Sequence, residues 1–250
     1  MSGHSHWSGI KHKKAANDAK RGKVWSKLAR VLIVAAKSGG GDPSQNLALR
    51  YAIDKSKAAN MPKDTIEKAI KKGTGEGGGA SFEEVLYEGY AVGGVAVMVE
   101  ALTDNRNRTA PEIKKLFEKR GGALGTSGCV NWMFEKKGVI TVDAAKVSED
   151  SLMEIALNAG ADDIQNTGKE FEVTCKPAAF EELKKALQDN NIPTDSAEIS
   201  MLPHTTVPVT DIDMAKRILN LMEEFDDHDD VQNVYANFDI PDDVMAKIEG

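Results

Sequence analysis

The sequence predicts an α+β protein with a helical N-terminal domain followed by two α/β domains, one inserted in the other. Three observations carry this expectation. Apolar residues recur at helical spacing as far as about Ala80 and then give way to runs of β-formers. A stretch in the second half orders its elements β-α-β-β-α-β, the ferredoxin-like pattern. A helix and a strand remain at the C-terminus that cannot bury both faces alone, and they complete a layer left open in the middle of the chain.

In order, the first helix spans about Ala15 to Ala36, with Val24, Leu28, Val31, Leu32 and Ala35 on one arc and Lys20, Lys23, Lys27 and Arg30 on the neighbouring one. Ser38-Gly39-Gly40-Gly41 stops it. Asp42 is the expected N-cap of a second helix, with Pro43 at its first position and Leu47, Leu49, Ala52 and Ile53 as core candidates. Pro62 opens a third helix ending at Lys72. Gly73 to Gly79 is a Gly-rich linker. Its Gly73-x-Gly75-x-x-Gly78 matches a dinucleotide fingerprint in letters only, because a helix precedes it where a strand is needed.

Strands follow at Val85–Tyr87 and Gly94–Glu100. Thr109 is the expected N-cap of a helix carrying Ile113, Leu116 and Phe117, and Cys129–Phe134 reads as a strand. The ferredoxin-like order comprises Val139–Val142, a helix capped by Ser148, a hairpin of 163–165 with 171–175, a helix from Pro177, and a strand at 197–201. The remaining helix runs from about Asp211 to Phe225, and the remaining strand from Val231 to Phe238. The expected segmentation is therefore residues 1–80, then 81–134 joined to 206–250, with 135–205 inserted.

Length and composition narrow the functional class. The 250 residues are 41% apolar and 28% charged, ordinary values for a globular chain, and enough for two or three small domains. The longest apolar run, Val31–Ala36, falls far below the roughly 20 residues that span a bilayer. The Lys- and His-rich N-terminus has no apolar core of a secretory signal. Cys129 and Cys175 form no CxxC pair, so two free thiols in a reducing cytoplasm are expected. No Walker A, HExxH, GxSxG or paired-cysteine spacing occurs, so neither cofactor nor catalytic metal is expected. His4-x-His6 has no third ligand, and Asp226-Asp227-His228-Asp229-Asp230 lacks the glycine and distal glutamate of a calcium loop. Those acids follow a helix C-terminus, where negative charge is unfavourable, so a partner for them is conceivable.

Charge is informative once it is divided. The net charge is −7, but up to Ala80 there are 16 bases against 6 acids, and beyond it 16 bases against 33 acids. A +10 head on a −17 body suggests contact with a polyanion. Lys11, Lys13, Lys14, Lys20, Arg21, Lys23, Lys27 and Arg30 are the candidate phosphate contacts, and Trp7 among them is placed to stack on a base or to pack locally as a hydrophobic staple. Trp25 reads as core. Arg106 and Arg108 flank an expected helix N-terminus and make a possible second anion site, or are solvated or paired with acids.

These residues carry a resemblance. Met1-Ser2-Gly3-His4-Ser5-His6-Trp7-Ser8-Gly9-Ile10-Lys11-His12-Lys13-Lys14, Ala19–Lys23, Gly89-Tyr90 with Gly93-Gly94, Thr103-Asp104-Asn105-Arg106-Asn107-Arg108-Thr109, Gly121-Gly122 and Asp229–Phe238 resemble the YebC/PmpR family over essentially the whole chain. The resemblance implies a three-domain α/β fold, no catalytic residues, and a cytoplasmic DNA-binding transcriptional regulator; a mitochondrial branch is described as activating translation. Three readings stand open: a nucleic-acid-binding regulator acting on promoter DNA, a translation factor binding structured RNA on the ribosome, and a scaffold whose acidic body binds a basic protein. No helix-turn-helix signature marks a base-reading helix, and the acidic body repels a duplex unless it faces away.

Overall fold

The computed structural model describes residues 18–75 and 81–249. The helical head consists of α1 (Asp18–Gly39), α2 (Leu47–Ala58) and α3 (Lys63–Gly73). Leu28, Leu32, Ile33, Ala35 and Ala36 of α1 pack on Leu49 and Ala52 of α2 and on Ile66 and Ala69 of α3. Their spacing of three and four residues places them on one side of α1, which leaves the basic stripe on the flank. Val24, expected in the same arc, is exposed, as is Leu47. Trp25 donates its indole N–H to the Ala59 carbonyl at 3.0 Å, tying α1 to the end of α2. The close crossing of α3 on α1 requires Gly73, since a Cβ there would stand 2.5 Å from the Ile33 carbonyl oxygen.

Asp42 is not the N-cap of α2. It organises the turn before the helix, accepting from the Ser44 amide and hydroxyl, while Asn46 caps α2 by accepting from the Leu49 amide. The Asn46 side-chain amide also donates to the Ala35 and Gly40 carbonyls at 2.8 Å each, so one buried residue closes α1 and opens α2.

The body contains two four-stranded antiparallel sheets. The first is built from β1 (Glu83–Tyr90), β2 (Ala96–Thr103), β3 (Ala123–Leu124) and β9 (Val231–Ala236), in the order β3-β1-β2-β9. One face is covered by α4 (Arg106–Lys119), α7 (Ile212–Asp226) and α8 (Asp242–Glu249), which enclose Val97, Val99, Ile113, Phe117, Ile218 and Phe225. The second sheet is built from β4 (Phe134–Asp143), β5 (Ala161–Asn166), β6 (Glu170–Cys175) and β7 (Ser196–Pro203), in the order β5-β6-β4-β7. Helices α5 (Glu149–Asn158) and α6 (Phe180–Asp189) cover it. This is the ferredoxin-like order and connectivity. In its own chain order the first sheet runs 3-1-2-4 where the second runs 2-3-1-4, so the two share a four-stranded antiparallel layer covered by helices but differ in connectivity, and the second sheet interrupts the first between β3 and α7. The fold is therefore α+β, with one α/β unit inserted in the other. Helix α8, joined to this core through Val244 and Met245, was not expected from the sequence.

Three local expectations are corrected. Thr109 lies inside α4, and Asn105 is the cap, accepting from the Arg108 amide. Residues 129–133 form a turn and a short 3-10 segment, so the strand begins at Phe134. The buried Glu88 carboxylate causes this: it accepts from the amides of Gly128, Val130 and Asn131 at 2.7, 2.8 and 2.8 Å, and those amides cannot then form a ladder. The last strand stops at Ala236, because the Asn237 side chain takes the Ala96 amide at 2.8 Å; Phe238–Asp239 (β10) pairs separately with Val207–Pro208 (β8).

Candidate nucleic-acid interface

The site is built on α1. Lys23, Lys27 and Arg30 are separated by four and three residues, so they share one flank of the helix. They do not face open solvent alone. They reach the end of α7 and the turn that follows it, nearly 200 residues away in sequence. Lys23 Nζ donates to the Asp227 carbonyl at 3.2 Å, Lys27 Nζ to the Asp226 carbonyl, and an Arg30 guanidinium nitrogen to the Asp229 carbonyl. Arg30 also pairs with Asp230 Oδ1 at 2.9 Å, and its guanidinium lies 5.6 Å from the Phe82 ring centroid. The physical reason is plain. The last carbonyls of a helix have no partner within it, and its C-terminus carries partial negative charge that four aspartates increase. Cations from another segment satisfy both needs.

Asp230 is the centre of this contact and is 2% exposed. Its Oδ2 accepts from Arg108 Nη2 at 2.7 Å, Thr109 Oγ1 at 2.7 Å and Thr103 Oγ1 at 3.2 Å. Burial pushes the Asp230 carboxyl up, but the hydrogen bonds from Thr109 and Arg108 and the charges of Arg30 and Arg108 outweigh it and hold the group below the ordinary carboxylate range. His228 completes the turn. Its Nδ1 accepts the Asp230 amide at 3.1 Å, and its Nε2 lies 3.1 Å from Glu112 Oε2.

The other expected residues fall in different places. Lys20 and Arg21 lie in the first turn of α1. Lys11, Lys13, Lys14 and Trp7 lie outside the described residues. Arg108 already has an anion, the chain's own Asp230, and also pairs with Asp104 at 3.2 Å. Arg106 is exposed, 4.0 Å from Glu83, and does not join Arg108. The structure thus brings Lys23, Lys27, Arg30 and Arg108 together around one acidic turn and leaves Arg106 apart. Sequence reasoning noted the Asp226–Asp230 run without singling out Asp230, and missed Lys115 and Lys119 of α4. Lys115 and Lys119 line the same open cleft of about 680 Å³ between α1, α4 and the turn. The only sequence signal for the clasp was a run of aspartates placed at a helix C-terminus, where they needed cations.

Elsewhere in the head the cations point outward. Lys37, Arg50, Lys55, Lys57, Lys63, Lys68, Lys71 and Lys72 are all exposed. Among the described residues, no group of three or more His, Cys, Asp or Glu side chains is placed to hold a metal ion, and no helix is long and apolar enough to cross a membrane. Cys129 and Cys175 are free, and burial pushes both thiols up, which leaves them poor nucleophiles.

Comparison with known proteins places the chain. Residues 5–76 match the TACO1/YebC protein N-terminal domain, and residues 82–238 match the TACO1/YebC second and third domain. A protein of Geobacter sulfurreducens called a probable transcriptional regulatory protein is 55% identical, covering 99% of this chain and 100% of that one. One of Elusimicrobium minutum with the same description is 50% identical, covering 99% of each. The crystal structure of a conserved hypothetical protein from Aquifex aeolicus superposes with a TM-score of 0.84 at 50% identity, covering 95% of this chain and 98% of that one. The chain is a member of the TACO1/YebC family.

Proposed function

We propose that this chain is a non-enzymatic regulator of gene expression that binds nucleic acid through its basic helical head. The observation that carries the reading is the arrangement of the head: a small apolar core of three helices whose lysines and arginines are turned outward on α2 and α3 and aligned along one flank of α1. A surface of this kind binds phosphates with little regard to sequence, and it does so with strong salt dependence. In the sequence Lys11, Lys13, Lys14, Lys20 and Arg21 precede Lys23, Lys27 and Arg30 and add further candidate phosphate contacts, with Trp7 as a candidate to stack on a base. The segmentation into 1–80, 81–134 with 206–250, and 135–205 assigns polyanion affinity to the first unit and orientation or partner contacts to the other two. The relatives' description as probable transcriptional regulatory proteins supports a role in gene expression, and the target in this reading is promoter DNA.

One observation favours RNA as the second reading. Asp227 and Asp229 are exposed beside the α1 stripe, so a straight duplex laid along that flank meets negative charge, whereas a folded RNA can curve around it. Binding to a promoter fragment, a scrambled duplex and purified ribosomes across a salt series separates the two. Preference for the promoter by more than about tenfold over scrambled DNA supports transcriptional action. Equal affinity for both duplexes with tight ribosome binding overturns it in favour of translation. A protein partner retained after nuclease treatment, with no affinity for any of the three, overturns both.

A further inference from the structure

We propose that the Asp226–Asp230 turn is an internal competitor for the basic face of α1, so that the free protein holds its head closed and a polyanion must displace the turn to reach Lys23, Lys27 and Arg30. This inference rests on the proposed function, and concerns the regulation of that same face.

The turn imitates what a phosphate backbone offers. It presents oxygen acceptors to three successive cations on one helical flank: the carbonyls of Asp226, Asp227 and Asp229 and the carboxylate of Asp230. The partial charge of the α7 C-terminus and the aspartate side chains supply the negative field. The contact divides into a fixed and an exchangeable part. Asp230 is fixed: it is buried and held by Thr103, Thr109 and Arg108 from its own unit, so the acceptor persists whether or not Arg30 is present. The cations are exchangeable. Lys23 is exposed, and the Arg30 side chain keeps 21% of its surface in water. Lysine–carbonyl bonds at such positions are individually weak and exchange readily with water or phosphate.

Among the described residues, other ties between head and body include Phe82, which packs against the apolar core of the head. They also include the Lys37–Ser81 hydrogen bond at 3.1 Å and a hydrogen bond between Tyr51 and Glu181. Opening the clasp breaks these polar contacts and loosens the Phe82 packing, while the apolar contacts among α1, α2 and α3, such as those of Leu28, Leu32, Leu49 and Ile66, lie within the head. An arrangement of this kind lowers apparent affinity by the fraction of molecules that are closed, and it favours polyanions able to replace several acceptors at once.

The test compares the full-length chain with Asp227→Asn/Asp229→Asn, which neutralises two exposed turn residues, and with a charge-matched control, Asp150→Asn/Glu154→Gln, on the exposed side of α5. The probes are a 20-nucleotide RNA, a 20-base-pair duplex and heparin, with Asp230→Asn as a second opened variant. Tighter binding of at least one probe by about 3- to 10-fold in the turn variant than in the control supports the proposal. It is also expected that small-angle scattering shows the bound wild-type chain more extended than the free one. Equal affinity of the turn variant and the control, with wild-type binding intact, overturns the internal competitor and leaves the nucleic-acid reading standing. Absence of binding to every probe by wild type and by both opened variants overturns the nucleic-acid reading itself.

Discussion

Replacing Asp230 with asparagine isolates the carboxylate that joins head and body. The wild-type Oδ2 accepts from Arg108, Thr109 and Thr103, and Oδ1 accepts from Arg30. An asparagine whose oxygen takes the Oδ2 position keeps the hydroxyl donors, but its amide nitrogen then faces the Arg30 guanidinium as donor against donor. Two arginines also lose their counter-charge. A hydrogen bond to a charged group contributes about 1.5–3 kcal/mol when well buried. Arg30 and Arg108 keep 21% and 45% of their side-chain surface in water, so each can recover part of that by rehydration. The expected loss is about 2–3 kcal/mol, below the roughly 3–5 kcal/mol of a fully buried broken pair. Urea denaturation followed by circular dichroism measures it, and a cycle with Arg30→Gln should show coupling of about 1 kcal/mol between the two residues. A loss under about 0.5 kcal/mol, or no coupling to Arg30, refutes the reasoning that this carboxylate clasps the head.

Two further expectations concern the same physics elsewhere. Glu88→Gln keeps two of three backbone amides satisfied and leaves its own amide facing the third, so it should destabilise by about 2 kcal/mol and loosen the loop carrying Trp132, seen as a change in tryptophan quenching by acrylamide. Stability should also fall in acid. Asp230, Glu88 and Glu224 all have folded-state pKa values below their ordinary ones. Burial opposes this in Asp230 and Glu88 but is outweighed by their donors, and the hydrogen bond from Arg120 leads in Glu224. A depressed folded pKa contributes stability that is complete above the ordinary carboxylate range, about pH 4–5, and is lost as pH falls through the folded values. Melting temperatures measured from pH 7 to pH 3 should therefore drop most steeply below about pH 5, and Asp230→Asn should flatten part of that slope.

What the sequence revealed and what it hid divide along the range of the interaction. The β-α-β-β-α-β order was legible because each element carries its own period and its own cap, as Ser148 does for α5. The α1 amphipathic face was legible for the same reason. Asn46 was hidden, because its side chain becomes a cap only when α1 ends where its carbonyls reach it. Thr109 was misread as a cap, because its hydroxyl is claimed by Asp230, 121 residues away. The segment before Phe134 has strand-forming residues, yet Glu88 of a distant strand takes its amides. The candidate site shows the limit most clearly. Its cations were identifiable on the helix, but their acceptors lie 199 to 204 residues further along, and no local pattern encodes that meeting. The sequence separated the charge into a basic head and an acidic body; the fold brings part of the two back together.

The central claim is that the head supplies the affinity for nucleic acid. Its most direct test is the salt-dependent binding of a 20-nucleotide RNA and a 20-base-pair duplex to the wild-type chain and to Lys13→Glu/Lys14→Glu/Lys20→Glu/Arg21→Glu. The account predicts a loss of affinity of at least about tenfold at 100 mM salt and a shallower salt dependence, as four phosphate contacts disappear. Unchanged affinity for both ligands, with the circular dichroism spectrum intact, contradicts it.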